Sequence, residues 1–159
     1  MLKEELSDKL NNTLLICDMH YQRMIFAWDQ VKKHFPVSGN ILKSLTPVEL
    51  ALFDQLIYRF LKLQDIMGSR LFRQILEMLG EDVSGTPFID ILNKMEKLVL
   101  IEKAEVWINL RETRNAISHE YPFDLDEQAG ELNLLITDIG MLSDIWLKLK
   151  DYTLSRLKG

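Results

Sequence analysis

The segment from Leu110 to Pro122, LRETRNAISHEYP, gathers two arginines, an asparagine, a serine, a histidine and a tyrosine near one end of a predicted helix. Arginine is permanently charged and meets phosphate oxygens in a two-pronged way. Histidine titrates near neutrality and carries protons. On a wheel of ~100° per residue, Leu110, Thr113 and Ile117 share the arc that faces a helical partner. Arg111, Arg114, Asn115, Ser118 and His119 occupy the adjacent arc. Arg114 and His119 flank that arc, ~140° apart on an ideal helix. They converge on one ligand only with His119 in a frayed last turn, or where two copies of the arc meet. A fixed cation beside a proton carrier, with no metal ligands, suits attack of a ribose 2′-hydroxyl on the neighbouring phosphate. His119 would handle the proton, and Arg114 would hold the charge that builds on the phosphorus oxygens. That chemistry requires RNA, because DNA lacks the hydroxyl.

Arg-x4-His by itself is an unspecific pair. The same residues also suit a structural role, with Arg114 paired to an acid on another helix and His119 closing its own helix end. The whole octet RNAISHEY is more specific. It resembles the signature of the HEPN superfamily, in particular the Arg-x4-His-x-Tyr pattern of HEPN toxins paired with minimal nucleotidyltransferases. Arg114, Asn115, His119 and Tyr121 each match a motif position. The resemblance implies an up-and-down helical bundle and a metal-independent endoribonuclease needing no cofactor. It also implies a homodimer in which arginine and histidine from both subunits meet at the two-fold interface, which would join the two arcs. On this resemblance Arg114 stabilises phosphate charge, His119 transfers protons and Asn115 orients them. Tyr121 would be the residue on which a cognate nucleotidyltransferase antitoxin places AMP, silencing the nuclease. The added phosphate would set negative charge beside Arg114 and His119 and block RNA. Pro122 would hold the tyrosine extended.

The elements that must position this arc read as helices throughout. Leu6, Leu10, Leu14, Cys17, Tyr21, Met24, Trp28, Val31 and Phe35 recur in steps of three and four, predicting one long helix that stops before Pro36. PVSGN reads as a loop. Thr46-Pro47-Val48-Glu49 is a helix start with a threonine cap, a first-position proline and a returning glutamate. Leu50, Phe53, Ile57, Phe60, Leu63 or Gln64, Met67, Leu71, Ile75 and Met78 then form an inner stripe that runs to Gly80. Gly68-Ser69 inside that stripe marks a kink or a close approach by another backbone. Thr86-Pro87 opens a shorter helix carrying Phe88, Ile91, Leu92, Met95 and Leu98, and the motif helix spans about Ala104 to His119. Asp124 with Glu127 caps a last long helix whose inner face runs from Ala129 to Tyr152. No period-two alternation marks a strand. The expected fold is all-α: one domain over 1–159, an up-and-down antiparallel bundle of three long helices plus two shorter ones.

Composition narrows the function classes. The chain has 159 residues, the length of one ordinary domain, and 47% of them are hydrophobic, enough for a core without staples. Against 24 acids stand 19 lysines and arginines, a net charge of −5 that disfavours a DNA-coating or membrane-surface role. The single cysteine, Cys17, has no disulfide partner in the chain. The residues three before His20, His34 and His119 are Cys17, Val31 and Ala116, so the Glu-x-x-His pairs of a di-metal bundle are absent. His20 reads as a packed or interfacial histidine, and His34 as a cation favoured in a helix's last turn. MLKEELSDKL carries acids where a signal peptide needs a basic start and an apolar run, so a soluble, cytoplasmic protein is expected. Charge is unevenly spread: Arg59 to Arg73 holds four bases against Asp65, while Glu120 to Asp138 holds six acids and no base. Arg70, Arg73, Arg111 and Ser118 are therefore the expected RNA contacts, and the acidic stretch a partner face, unless both are ordinary solvated faces. Besides the nuclease, two readings remain open: a non-catalytic subunit that binds a nucleotide or a nucleotidyltransferase, and a helical adaptor.

Overall fold

The computed structural model describes residues 2–117 and 124–158, and among the described residues the secondary structure is entirely helical. Helix α1 (Leu2–Val31) continues through a 3-10 turn, Lys32–His34. Phe35 then turns extended (φ −87°, ψ 141°), as the ring of Pro36 demands. Next come α2 (Gly39–Ser44), α3 (Pro47–Ile66), a π-helical turn (Met67–Leu71) and α4 (Phe72–Met78). Helices α5 (Phe88–Lys97), α6 (Ala104–Ile117), α7 (Leu125–Leu132) and α8 (Leu135–Lys158) follow. Among the described residues no helix is long and apolar enough to cross a membrane.

Local chemistry explains most of the boundaries. Thr46 Oγ1 accepts from the Glu49 backbone N–H at 3.2 Å, and Glu49 Oε1 accepts from the Thr46 N–H at 3.1 Å, a complete capping box. Hydrogen bonds to the carboxylate, from the Thr46 backbone N–H first, then the Thr46 hydroxyl and His34, hold the Glu49 carboxyl below its ordinary value. At the other end, Gly80 takes φ +85° while its N–H bonds the Glu77 carbonyl and the Glu81 N–H bonds Leu76, each at 2.9 Å. This left-handed closure satisfies carbonyls that the helix leaves open. Asp124 Oδ1 accepts from the Glu127 N–H at 2.9 Å and starts α7.

Tertiary contacts reshape several of the expected elements. The segment read as a loop after Pro36 forms α2 from Gly39 onward, with the Ser38 side chain accepting from the Ile41 N–H at 3.2 Å. The last long helix breaks at Asn133 and Leu134 into α7 and α8. There the Asn133 amide grips both backbone groups of Val37: Val37 N–H to Oδ1 at 2.7 Å, and Nδ2 to the Val37 carbonyl at 3.0 Å. Asp126 Oδ1 also accepts from the Gly39 N–H, so α7 holds the α1–α3 connection. Leu50 is 45% exposed, and Leu56, one residue before the expected stripe position Ile57, is fully buried instead. Leu98 also points outward, because the chain reverses through Val99 at φ +58° and sends Leu100 and Ile101 into the core. Gly68 lies within the π turn, where a Cβ would stand 3.5 Å from Trp107 and 3.6 Å from Phe88. The close approach is thus by aromatic side chains, not by a second backbone.

Neighbouring long helices run antiparallel. The start of α1 (Lys3, Ser7) shares one end of the bundle with the end of α4 (Glu77, Met78) and the end of α8 (Arg156, Leu157). At the opposite end His34 pairs with Glu49. Asp18 and Lys150 join α1 to α8 at 2.9 Å. Between the helices lies one core in which Phe60, Phe72, Trp107 and Trp146 are almost completely buried, Phe72 meeting Trp107 edge-on at 4.6 Å. Cys17 sits in this core, and burial pushes its thiol up to about 12. Replacing Leu56 by alanine should cost about 2–5 kcal/mol, whereas Leu50→Ala should stay within about 0.5 kcal/mol. Urea melts at unchanged m-value test this; equal effects would mean that α3 packs in another register.

Candidate functional site

The motif helix meets α3 through its expected apolar face. Leu110, Thr113 and Ile117 are buried, and Gln64 Nε2, inside α3, donates to the Leu110 carbonyl at 3.1 Å. That contact turns the adjacent arc of α6 toward the rim. There Arg111 and Arg114 line a cleft of about 400 Å³, with Arg73 and Ser69 opposite them and Phe88 at one wall. Arg111 is exposed and lies over the Phe88 ring, its Cζ 5.1 Å from the centroid. Gln64 Oε1 also belongs to the cleft's lining residues; it is buried and accepts no hydrogen bond.

Arg114 has a definite orientation. Its Nε and Nη2 donate to the two carboxylate oxygens of Asp65 at 3.2 and 3.0 Å, a two-pronged pair across the α3–α6 seam. Nη1 donates to Asn115 Oδ1 at 3.3 Å, so the asparagine touches the guanidinium it was expected to orient. The Arg114 fork is therefore set for a planar pair of oxygens, the geometry that a carboxylate shares with phosphate. Arg73 is committed elsewhere: Nη1 and Nη2 donate to the carbonyls of Val83 at 3.2 Å and Thr86 at 2.8 Å, tying down the α4–α5 loop. It contributes charge to the cleft while its donors face the backbone. Arg70 is not a lining residue of the cleft; it acts on the Cys17 thiol of α1. Ser118, His119 and Tyr121 lie outside the described residues. Among the described residues, no three His, Cys, Asp or Glu side chains are grouped to hold a metal ion.

A second cationic cluster occupies the α1–α3 seam. Arg59 Nη1 lies 2.9 Å from His20 Nδ1. A guanidinium only donates, so the imidazole must accept at Nδ1 and be neutral there. His20 is 6% exposed, and its pKa is lowered from 6.5 by burial first, then by Arg59, Lys62 and Arg23. Both Arg59 and Lys62 approach the half-exposed Tyr58 ring, at 4.9 and 5.7 Å from its centroid. Asp65, Gln64 and Phe88 were not expected as site residues. Asp65 had a visible signal, as the lone acid in the basic run from Arg59 to Arg73. No family model, curated protein or solved structure matches the chain.

Two outcomes follow from this geometry. Asp65→Asn should release Arg114 and tighten binding of adenosine monophosphate, measured by calorimetry, by up to about five-fold. That factor equals the ~1 kcal/mol at the upper end for an exposed ion pair; unchanged or weaker binding would mean that Arg114 does not take the ligand. His20 should titrate by NMR below its ordinary 6.5. Its contribution to stability is then present above pH 6.5 and lost as pH falls toward the folded pKa, because the unfolded chain takes the proton first. A midpoint at or above 6.5 would contradict the Arg59–His20 arrangement.

Proposed function

We propose that the chain is a metal-independent endoribonuclease of the HEPN type, the toxin of a two-component toxin–antitoxin pair. The observation that carries this reading is Arg114, held at the rim of a cationic cleft with its fork oriented for two oxygens and Asn115 against it. His119 and Tyr121 stand just beyond Ile117 in the sequence, completing the motif that begins at Arg114. In the reaction, the 2′-oxygen forms a bond to phosphorus as its proton passes to a base, and the P–O5′ bond breaks. The 5′-oxygen leaves with a proton, and a 2′,3′-cyclic phosphate remains. His119 serves in the proton transfers and Arg114 stabilises the charge on the phosphorane oxygens, displacing Asp65 to do so. A second copy of the chain supplies the facing arc across a two-fold axis, which brings arginine and histidine from both copies to one phosphate. AMP placed on Tyr121 by a partner nucleotidyltransferase switches the nuclease off by charge and bulk.

The Arg114–Asp65 pair also favours a second reading. An arginine already neutralised by a carboxylate suits a non-catalytic subunit whose arc docks a nucleotide or a nucleotidyltransferase. Incubation of the purified chain with single-stranded RNA and a chelator separates the two. The nuclease yields fragments ending in 2′,3′-cyclic phosphate, and Arg114→Ala or His119→Ala lowers the rate by about 100-fold or more with an unchanged circular dichroism spectrum. Cleavage that persists in both variants overturns the assignment, and absence of cleavage by the unaltered chain favours the docking subunit.

A further inference from the structure

The exposed face of α3 connects the two cationic clusters. Tyr58, Lys62, Asp65 and Ser69 follow at intervals of four, three and four residues and are all exposed, so they form one stripe about 16 Å long. At one end of the stripe Ser69 and Asp65 border the cleft of Arg111 and Arg114. At the other, Arg59 and Lys62 lie over the Tyr58 ring, 4.9 and 5.7 Å from its centroid, and Arg23 of α1 lies close enough to act with them on His20. Asp65, the acid between the clusters, is paired by Arg114. Among the described residues, Arg23, Arg59 and Lys62 make no ion pair, as is true of most of the lysines and arginines; what sets these three apart is that they gather around one ring and one imidazole. Arg59 Nε is buried without a hydrogen-bond partner. Unneutralised cations around a half-exposed aromatic ring are what single-stranded nucleic acid requires. The cations take phosphates, and the ring takes a base face regardless of sequence.

We propose that a single strand of RNA runs along α3 from the Arg111–Arg114 cleft to a second site, where a base stacks on Tyr58 in place of the Lys62 ammonium, and Lys62 turns with Arg23 and Arg59 to hold phosphate. The inference rests on the nuclease reading for the identity of the strand as substrate. It makes that substrate single-stranded, because a paired duplex keeps its bases stacked on each other and offers no face to Tyr58. Arg59 keeps His20 neutral while reaching the strand, and the net acidity of the chain leaves this stripe as a local exception.

Anisotropy of a labelled, 2′-O-methylated ten-nucleotide strand, which cannot be cut, tests the proposal on the full chain. Arg23→Ala/Lys62→Ala should weaken binding about ten-fold at low salt. It should also flatten the slope of log K against log salt by about 1.4, at ~0.7 per phosphate contact for two contacts. Tyr58→Leu should weaken binding about ten-fold with the slope unchanged, as stacking carries no counterion release. The equally charged control Lys43→Ala/Lys97→Ala, on exposed residues away from the stripe, should bind like the unaltered chain. Affinity and slope unmoved in the Arg23/Lys62 variant, equal losses in the control, or tighter binding of duplex than of single strand would each overturn the track. The two readings fail separately. A chain that binds the strand through these residues but cuts no RNA loses the nuclease, and one that cuts RNA while binding is indifferent to them loses the track.

Discussion

The seam between α3 and α6 is the constraint on which the rest of the molecule's chemistry depends. Gln64 is buried in that seam and fixes the rotation of α6 by donating to the Leu110 carbonyl. A buried amide of this kind leaves little freedom, because any other rotation would strand its donor in the core at a cost of about 1–3 kcal/mol. The aromatic contact of Trp107 with Phe72, beside Gly68, sets the spacing from below. With rotation and spacing set, Arg111 and Arg114 are brought to the rim, and Asp65, one residue after Gln64, is brought under the Arg114 fork. Seam, cleft and ion pair are one arrangement.

The Arg114–Asp65 pair has two physical consequences that pull in opposite directions. It pre-organises the guanidinium, removing much of the side-chain entropy that an anion would otherwise have to overcome. It also supplies a competitor, since any phosphate must displace a carboxylate already in the preferred geometry. The pair is partly solvent-exposed, so that competition is weak, within the ~0–1 kcal/mol of a surface ion pair. Orientation is therefore retained at small expense in affinity. The α1–α3 cluster is arranged on the opposite principle, with cations left unneutralised and a buried imidazole kept uncharged in their midst. A chain of net charge −5 thus carries two cationic places of different character at the two ends of one exposed stripe.

Much of the helical framework was legible because its causes are local. The Thr46–Glu49 box, the Gly80 closure, the Asp124 cap and the stop before Pro36 each involve residues a few positions apart, whose chemistry can be read in line. The inner faces of α6 and α8 follow from a three-to-four spacing that survives any particular packing. Reading failed where a distant residue decided the outcome. The break between α7 and α8 exists because Asn133 answers Val37, ninety-six positions away. Leu50 and Leu98 are apolar at the right period and still face outward, since period alone does not say how wide the buried stripe is or where the chain reverses.

By itself, then, the sequence determined an all-helical chain, the ends of most helices, and an arc on α6 bearing Arg111, Arg114 and Asn115 beside an apolar face. Only tertiary structure decided what that arc meets. It turned Arg73 to the carbonyls of its own loop, set Arg70 apart from the cleft, paired Arg114 with Asp65, and gathered Arg23, His20 and Arg59 across α1 and α3. The reason is the range of the forces concerned. Capping and periodicity act within a few residues along one helix, whereas ion pairs and clefts depend on which helices lie side by side and at what rotation, which the whole core settles at once.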